Sequence, residues 1–241
     1  MSAQAHVQPR VPVDRLGLAK YIDHTNLVPT ATVVDIDRLC DEALKHSFWS
    51  VCLGPSNVRH ASRRLKGSGV KVCSVVGFPL GFTFARVKLA EAEEEIGAGA
   101  DEIDMVMNIG AFKSEDYGAV SREIEEIAEF CHSCGRLLKV IIECCYLTDE
   151  EKVRASQLAE RAGADFVKTS TGLGPSGATS KDVALIKRAL TGTTRVKAAG
   201  GIRTLDDMIG MIIAGADRIG TSSGAKIMAQ WAEKNQQAET L

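Results

Sequence analysis

The chain has 241 residues, 45% of them hydrophobic, which suits one large domain or two small ones with a substantial core. Charged residues make up 25% and are mixed in sign, and the formal net charge of -2 excludes a basic nucleic-acid binder or a charged interaction tail. No apolar run reaches the ~18–20 residues of a membrane span, and "MSAQAHVQPRVPVD" at the start lacks the apolar stretch of a secretory signal. Seven cysteines, odd in number and irregularly spaced, then read as free thiols in a reducing cytoplasm.

In chain order, strands are expected at 21–25, 50–54, 70–78, 102–108, 137–146, 165–170, 195–200 and 217–222. Helices are expected between and after them, at 32–46, 56–65, 84–96, 117–133, 149–162, 180–190, 204–214 and 224–234. Thr148 opens one helix with acids in its first turn, and Thr179 or Ser180 caps the next. "EAEEE" at 91–95 reads as a solvated helix face. "CHSC" at 131–134 lacks a second ligand pair, and the five histidines form no H-x-x-x-H or H-x-H pair, so no metal site is expected.

The four letters "AGAD" occur at 98–101, 162–165 and 214–217, each time between a helix-like and a strand-like stretch. Gly ends the helix in a left-handed cap, Ala packs closely and Asp opens the strand. A junction reused in this way signals alternating β and α units. Eight such pairs in a chain near the ~250-residue norm predict a single-domain α/β protein, a (β/α)8 TIM barrel. An open doubly wound sheet would place a Gly-rich fingerprint after the first strand, and "YIDHTNLVPT" has none. The barrel is expected over 15–235, with loosely ordered ends at 1–14 and 236–241.

Chemistry in such a barrel sits at the C-terminal ends of its strands. Three residues after the Asp of each repeat come Asp104, Lys168 and Gly220, so equivalent junctions put Asp104 and Lys168 at similar height inside the barrel. Lys197, between apolar neighbours in "RVKAAGG", joins them from the next strand. Glu143 is a further candidate for the lumen, with Lys139 lower down. Two adjacent ammonium groups depress each other's pKa, and a lysine so affected is a nucleophile able to form a Schiff base with a carbonyl. A purely structural network of ion pairs would use the same residue types. The glycine- and hydroxyl-rich "AAGGIRT" and "IGTSSGA" follow the seventh and eighth strands, where this fold frequently binds phosphate. Their alternative reading is ordinary turns and N-caps.

The stretches "YIDHTNL", "SVCLGPSNV", "GFPLG", "EIDMVMNIGAF", "KVIIECCYLT", "DFVKTSTG", "VKAAGGIRT" and "RIGTSSG" together resemble the motifs of the deoxyribose-phosphate aldolase family, from about residue 17 to about 230. The resemblance implies a class I aldolase, without metal or other cofactor, that reversibly cleaves 2-deoxy-D-ribose 5-phosphate to D-glyceraldehyde 3-phosphate and acetaldehyde. By position it makes Lys168 the Schiff-base lysine, Lys197 the second lysine that lowers the pKa of the first, and Asp104 the acid/base aspartate. It sets Asp23 and Thr25 near the substrate hydroxyls, Thr171 as a substrate-contacting hydroxyl and Cys52 in the pocket lining. Gly172, Gly200, Gly201, Ser222 and Ser223 match the phosphate-binding loops. The tyrosine that ends some family members is missing from "QAETL". The partners implied are small-molecule phosphosugars and aldehydes, with no nucleic acid or membrane. Family members are often dimers, so a homodimer or higher homo-oligomer is within the expectation. The alternatives are another Schiff-base aldolase or transaldolase of different substrate length, and a non-catalytic phosphosugar-binding barrel.

Overall fold

Each "AGAD" junction has one geometry. Gly99, Gly163 and Gly215 take φ values of 110°, 91° and 111°, a left-handed turn that glycine adopts without steric cost. The following aspartate makes a reciprocal pair of hydrogen bonds with the preceding strand. The Asp101 amide donates to the Val72 carbonyl (2.7 Å) while its carboxylate accepts from the Val72 amide (3.0 Å). Asp165 does the same with Leu138, and Asp217 with Val196. Arg136, His132 and Lys187 contact the three carboxylates at 2.9, 2.9 and 2.8 Å. Aspartate is thus chosen for its side chain as much as for its position.

The computed structural model describes residues 14–239. Eight parallel strands close into a barrel in sequence order: β1 Ile22–Asn26, β2 Ser50–Leu53, β3 Lys71–Val76, β4 Glu102–Val106, β5 Leu137–Ile141, β6 Phe166–Lys168, β7 Arg195–Ala199 and β8 Arg218–Thr221. The helices between them are α2 Val33–His46, α3 Val58–Arg64, α4 Ala85–Ala98, α6 Tyr117–Ser133, α7 Asp149–Arg161, α8 Ser180–Ala189 and α9 Leu205–Ile213, and α10 Gly224–Glu239 follows β8. Two short helices were not foreseen, α1 Arg15–Ala19 and α5 Ile109–Lys113. Both start on side-chain caps, Asp14 to the Gly17 amide and Asn108 to the Ala111 amide. The loose ends expected at 1–14 and 236–241 fall largely outside the described residues, within which α10 continues to Glu239.

Threonine begins four of the long helices. Thr32, Thr148 and Thr204 form capping boxes with Asp35, Glu151 and Asp207, and Thr179, not Ser180, caps α8. β5 and β3 stop earlier than their apolar runs suggest. The chain turns at Glu143 (φ 52°) after β5 and at Gly77 (φ 60°) after β3. Ile142, Cys144 and Leu147 remain apolar because they continue into the core beneath the loop. That core lies in the layer between strands and helices, and the lumen is polar.

The acidic run on α4 is solvated only in part: Glu93 and Glu94 are exposed, while Glu91 is half-buried and Glu95 buried. Lys88, Glu91 and Glu95 lie three and four residues apart, on the side of the helix that crosses β3. The Glu91 carboxylate accepts the Gly77 amide (2.7 Å), and Lys88 is buried against Glu123 and the Val106 carbonyl. Glu95 is 2% exposed, and among the described residues Ser74 offers its carboxylate no more than a weak hydrogen bond. Burial pushes its carboxyl up to about 8. The folded protein therefore holds a proton here that the unfolded chain releases, so this site contributes stability that is lost as pH rises from about 4.5 through about 8. Relative to the parent, Glu95→Gln is expected to gain up to ~1.4 kcal/mol for each pH unit across that window. Urea unfolding at pH 5 and pH 8 measures the difference, and equal gaps at both would count against it.

Candidate active site

The inward faces of the strands carry an unusual density of charge. Asp23 on β1, Glu102 and Asp104 on β4, Lys139 on β5, Lys197 on β7 and Arg218 on β8 are all at most 2% exposed. They form a closed ring of alternating sign. Arg218 contacts Asp23 at 2.8 Å, Asp23 contacts Lys197 at 2.6 Å, and Lys197 contacts Asp104 at 2.7 Å. Asp104 then contacts Lys139 at 2.7 Å, Lys139 contacts Glu102 at 2.7 Å, and Glu102 returns to Arg218 at 3.3 Å. Three carboxylates and three cations balance, and each member touches two of opposite sign. Ser50 donates to Asp23 (2.7 Å) and the Trp49 indole to Glu102 (2.7 Å), satisfying further lone pairs.

Lys168 hangs from this ring by a single contact, 2.8 Å to Asp104 Oδ2. It is the fourth cation against three carboxylates. It is also the one amine of the set that can lose its proton without leaving a buried carboxylate short of a partner. Gly220 makes room for the arrangement, since a Cβ there would meet the Lys197 side chain at 3.2 Å and Ala199 at 3.0 Å.

The ring fixes the protonation of its members. Burial alone would raise the Asp104 carboxyl, but the ammonium groups of Lys139, Lys168 and Lys197 outweigh it and hold Asp104 well below the usual carboxylate range. Burial alone would lower Lys197, and Asp104 and Asp23 reverse that, so Lys197 is raised and remains an ammonium. The two lysines do not meet as a bare pair, since Asp104 stands between them. Both donate to the same oxygen of Asp104.

Above Lys168 opens a cavity of about 640 Å³ at the C-terminal end of the barrel. Thr25, Lys168, Thr171, Gly172, Gly200, Gly201 and Ser222 line it, all among the expected residues. Asp23, Asp104, Lys197 and Cys52 lie beneath it, fully buried. Ser223 is outside the lining, and its amide is taken by the Thr221 hydroxyl at 2.9 Å. Gly172, Gly200 and Gly201 have φ between 79° and 89°, so this wall of the cavity is backbone that no ordinary side chain could replace without strain. Lys139 lies lower, opposite Phe166 and two residues below Lys168, yet still reaches Asp104, and Glu143 stands outside the ring, hydrogen-bonded to Thr171 instead. Arg218 was missed altogether. Yet Glu102 and Arg218 directly follow the Asp of two "AGAD" copies, so the register argument moved down by one inward position leads to both.

Cys52, Cys73 and Asp104 could in principle hold a metal ion, their ligand atoms lying within 4.8 Å of one another. Asp104 already accepts from three ammonium groups, and burial raises the Cys73 thiol well above its usual range. Both oppose a further cation. The arrangement can instead present an amine to a carbonyl compound, with a carboxylate close by to stabilise positive charge.

If the ring is an integrated unit, removing one charge at constant shape should be costly. Glu102→Gln keeps an acceptor for Trp49 but leaves four cations on two carboxylates. A loss of ~3–5 kcal/mol is expected, read as a lower urea midpoint at unchanged slope. A loss below ~1 kcal/mol would mean that the pairs act independently.

A family model for "DeoC/LacD family aldolase" matches residues 12–230. A deoxyribose-phosphate aldolase from Thermococcus gammatolerans is 55% identical over 215 residues, covering 88% of this chain and 96% of the relative. One from Aciduliprofundum boonei is 54% identical over 216 residues, covering 90% and 97%. Among solved structures, the tetrameric deoxyribose phosphate aldolase of Aeropyrum pernix superposes with a TM-score of 0.84 at 37% identity, covering 92% of this chain and 93% of its own. With an amine set in a barrel of this topology and relatives matched over nearly their whole length, the chain belongs to the DeoC/LacD family of aldolases.

Proposed function

We propose that the protein is a class I deoxyribose-phosphate aldolase acting through a Schiff base on Lys168. The observation that carries this reading is the attachment of Lys168, a surplus cation on a neutral ring and the only lysine in the cavity lining. The relatives at 54–55% identity supply the substrate class, a five-carbon deoxysugar phosphate. Its products are D-glyceraldehyde 3-phosphate and acetaldehyde.

The charged steps draw on groups already described. The neutral Lys168 amine adds to the C1 aldehyde of the open-chain sugar, and loss of water gives a protonated imine. Asp104, held as a carboxylate, stabilises that positive charge at close range. A base takes the C3 hydroxyl proton, the C2–C3 bond breaks, and its electron pair flows into the iminium to leave an enamine. Protonation at C2 and hydrolysis release acetaldehyde and restore the amine. Lys197, kept charged by its two carboxylates, is the proton donor for a relay through water with Asp104. Thr25 lies on the cavity wall beside the sugar, with Asp23 and Cys52 beneath it, and Thr171 adds a hydroxyl. The amides of Gly172, Gly200, Gly201 and Ser222 are assigned to the phosphate, and Ser223, its amide taken by Thr221, has only its hydroxyl to offer. A homo-oligomer is the assembly favoured by the tetrameric relative. A cytoplasmic location suits the substrate class, and no described helix is long and apolar enough to cross a membrane.

Incubation with acetaldehyde and borohydride, followed by peptide mass spectrometry, should find a two-carbon adduct selectively on Lys168. Lys168→Ala should lose both the adduct and turnover, and near-wild-type turnover in that variant would refute the assignment. Sedimentation velocity is expected to give a species larger than one chain, and a monomer at micromolar concentration would remove the oligomer from the proposal.

A further inference from the structure

Glu143 is an anomaly that the chemistry above leaves unused. It sits between β5 and a short turn at φ 52°, ψ 71°, where a side chain with a Cβ is strained by about 1 kcal/mol or more and glycine is not. It is 2% exposed, and no ion pair compensates its carboxylate among the described residues. Such a group is held only by the hydrogen bonds it accepts. Those come chiefly from one residue. The Thr171 amide lies 3.2 Å from both carboxylate oxygens, and the Thr171 hydroxyl donates to Oε2 at 2.5 Å.

Thr171 in turn accepts the Leu173 amide at 3.1 Å, so residues 171–173 close on Glu143 as one unit. Gly172 within it packs on Gly200, where a Cβ would come within 3.2 Å of the Gly172 Cα. Flanking bonds fix the base of the unit, from the Ile142 amide to the Lys168 carbonyl (3.0 Å) and from the Cys144 amide to the Thr169 carbonyl (2.8 Å). Glu143 is not in the cavity lining, whereas Thr171, Gly172, Gly200 and Gly201 are.

We infer that Glu143 is a positioning residue: it orders the wall that receives the substrate phosphate, acting through Thr171. This rests on the phosphate-side assignment made under the proposed function. Its mark is a split between binding and chemistry, because the wall is fixed from outside the ring that serves Lys168.

The test uses Glu143→Gly, which removes the carboxylate while relieving the backbone, and Glu143→Gln, which keeps one acceptor oxygen. In Glu143→Gly, KM for 2-deoxyribose 5-phosphate and the competitive Ki of inorganic phosphate should both rise by about 10-fold or more, with kcat changed by less than about 3-fold. Glu143→Gln should fall between this variant and the parent. Unchanged KM and phosphate Ki in folded Glu143→Gly would overturn the inference, as would a fall in kcat at constant KM. The outcome is separable from the Schiff-base reading. Absence of a Lys168 adduct in the parent protein would sink that reading, while the phosphate Ki values would still decide the role of Glu143.

Discussion

The barrel is organised around a single electrostatic constraint, the closed ring of three carboxylates and three cations across its lumen. Seven charged groups cannot be buried singly, since each would cost several kcal/mol in desolvation. They persist because each ring member meets two partners of opposite sign at 2.6–3.3 Å. The ring dictates much of its surroundings. Gly220 has no side chain because the Lys197 stem passes there, and Trp49 and Ser50 use their polar groups on Glu102 and Asp23. A buried ion network is weak evidence of stability in general. Here its consequence is functional, because a balanced ring leaves one amine whose charge nothing else requires.

Much of this was legible in the sequence. The repeat "AGAD" gave the alternation of elements, and counting inward positions from its Asp put Asp104 and Lys168 together across the intervening strand. Lys197 followed from its position between apolar neighbours. The expectation failed where a side chain's environment depends on elements distant in the chain. Charged runs look solvated until a helix face is known, so Glu95 and Glu91 were assigned to water. Apolar runs look like strand until a backbone turn interrupts them, so β5 was drawn five residues too long. A count of like charges also leaves out the carboxylate that stands between the two lysines, Asp104, which accepts from both.

The two ends of the barrel are built differently. At the end where strands begin, side chains of the repeated aspartates tie neighbouring strands together through directed hydrogen bonds. At the end where strands finish, Gly172, Gly200 and Gly201 in the left-handed region line the cavity with backbone in place of side chains. The first arrangement gives rigidity, and the second gives room for an anion and for a carbonyl compound to reach Lys168. Glu143 takes a left-handed backbone at the open end, where its carboxylate holds Thr171.

The aspartate seams carry a consequence for how the polypeptide can be cut. The reciprocal bonds join β3 to β4, β5 to β6 and β7 to β8, while the Asp101 carboxylate also reaches Arg136 directly before β5. Each of these three pairs is one strand–helix–strand unit with its own latch, whereas β1 and β2 carry none of the repeated aspartates. A circularly permuted chain opened after β4 or β6 keeps every latch inside a continuous module. One opened within α4 or α7 separates the two halves of a latch in sequence and must rebuild it at long range. Natural or engineered rearrangements of this barrel should respect those boundaries.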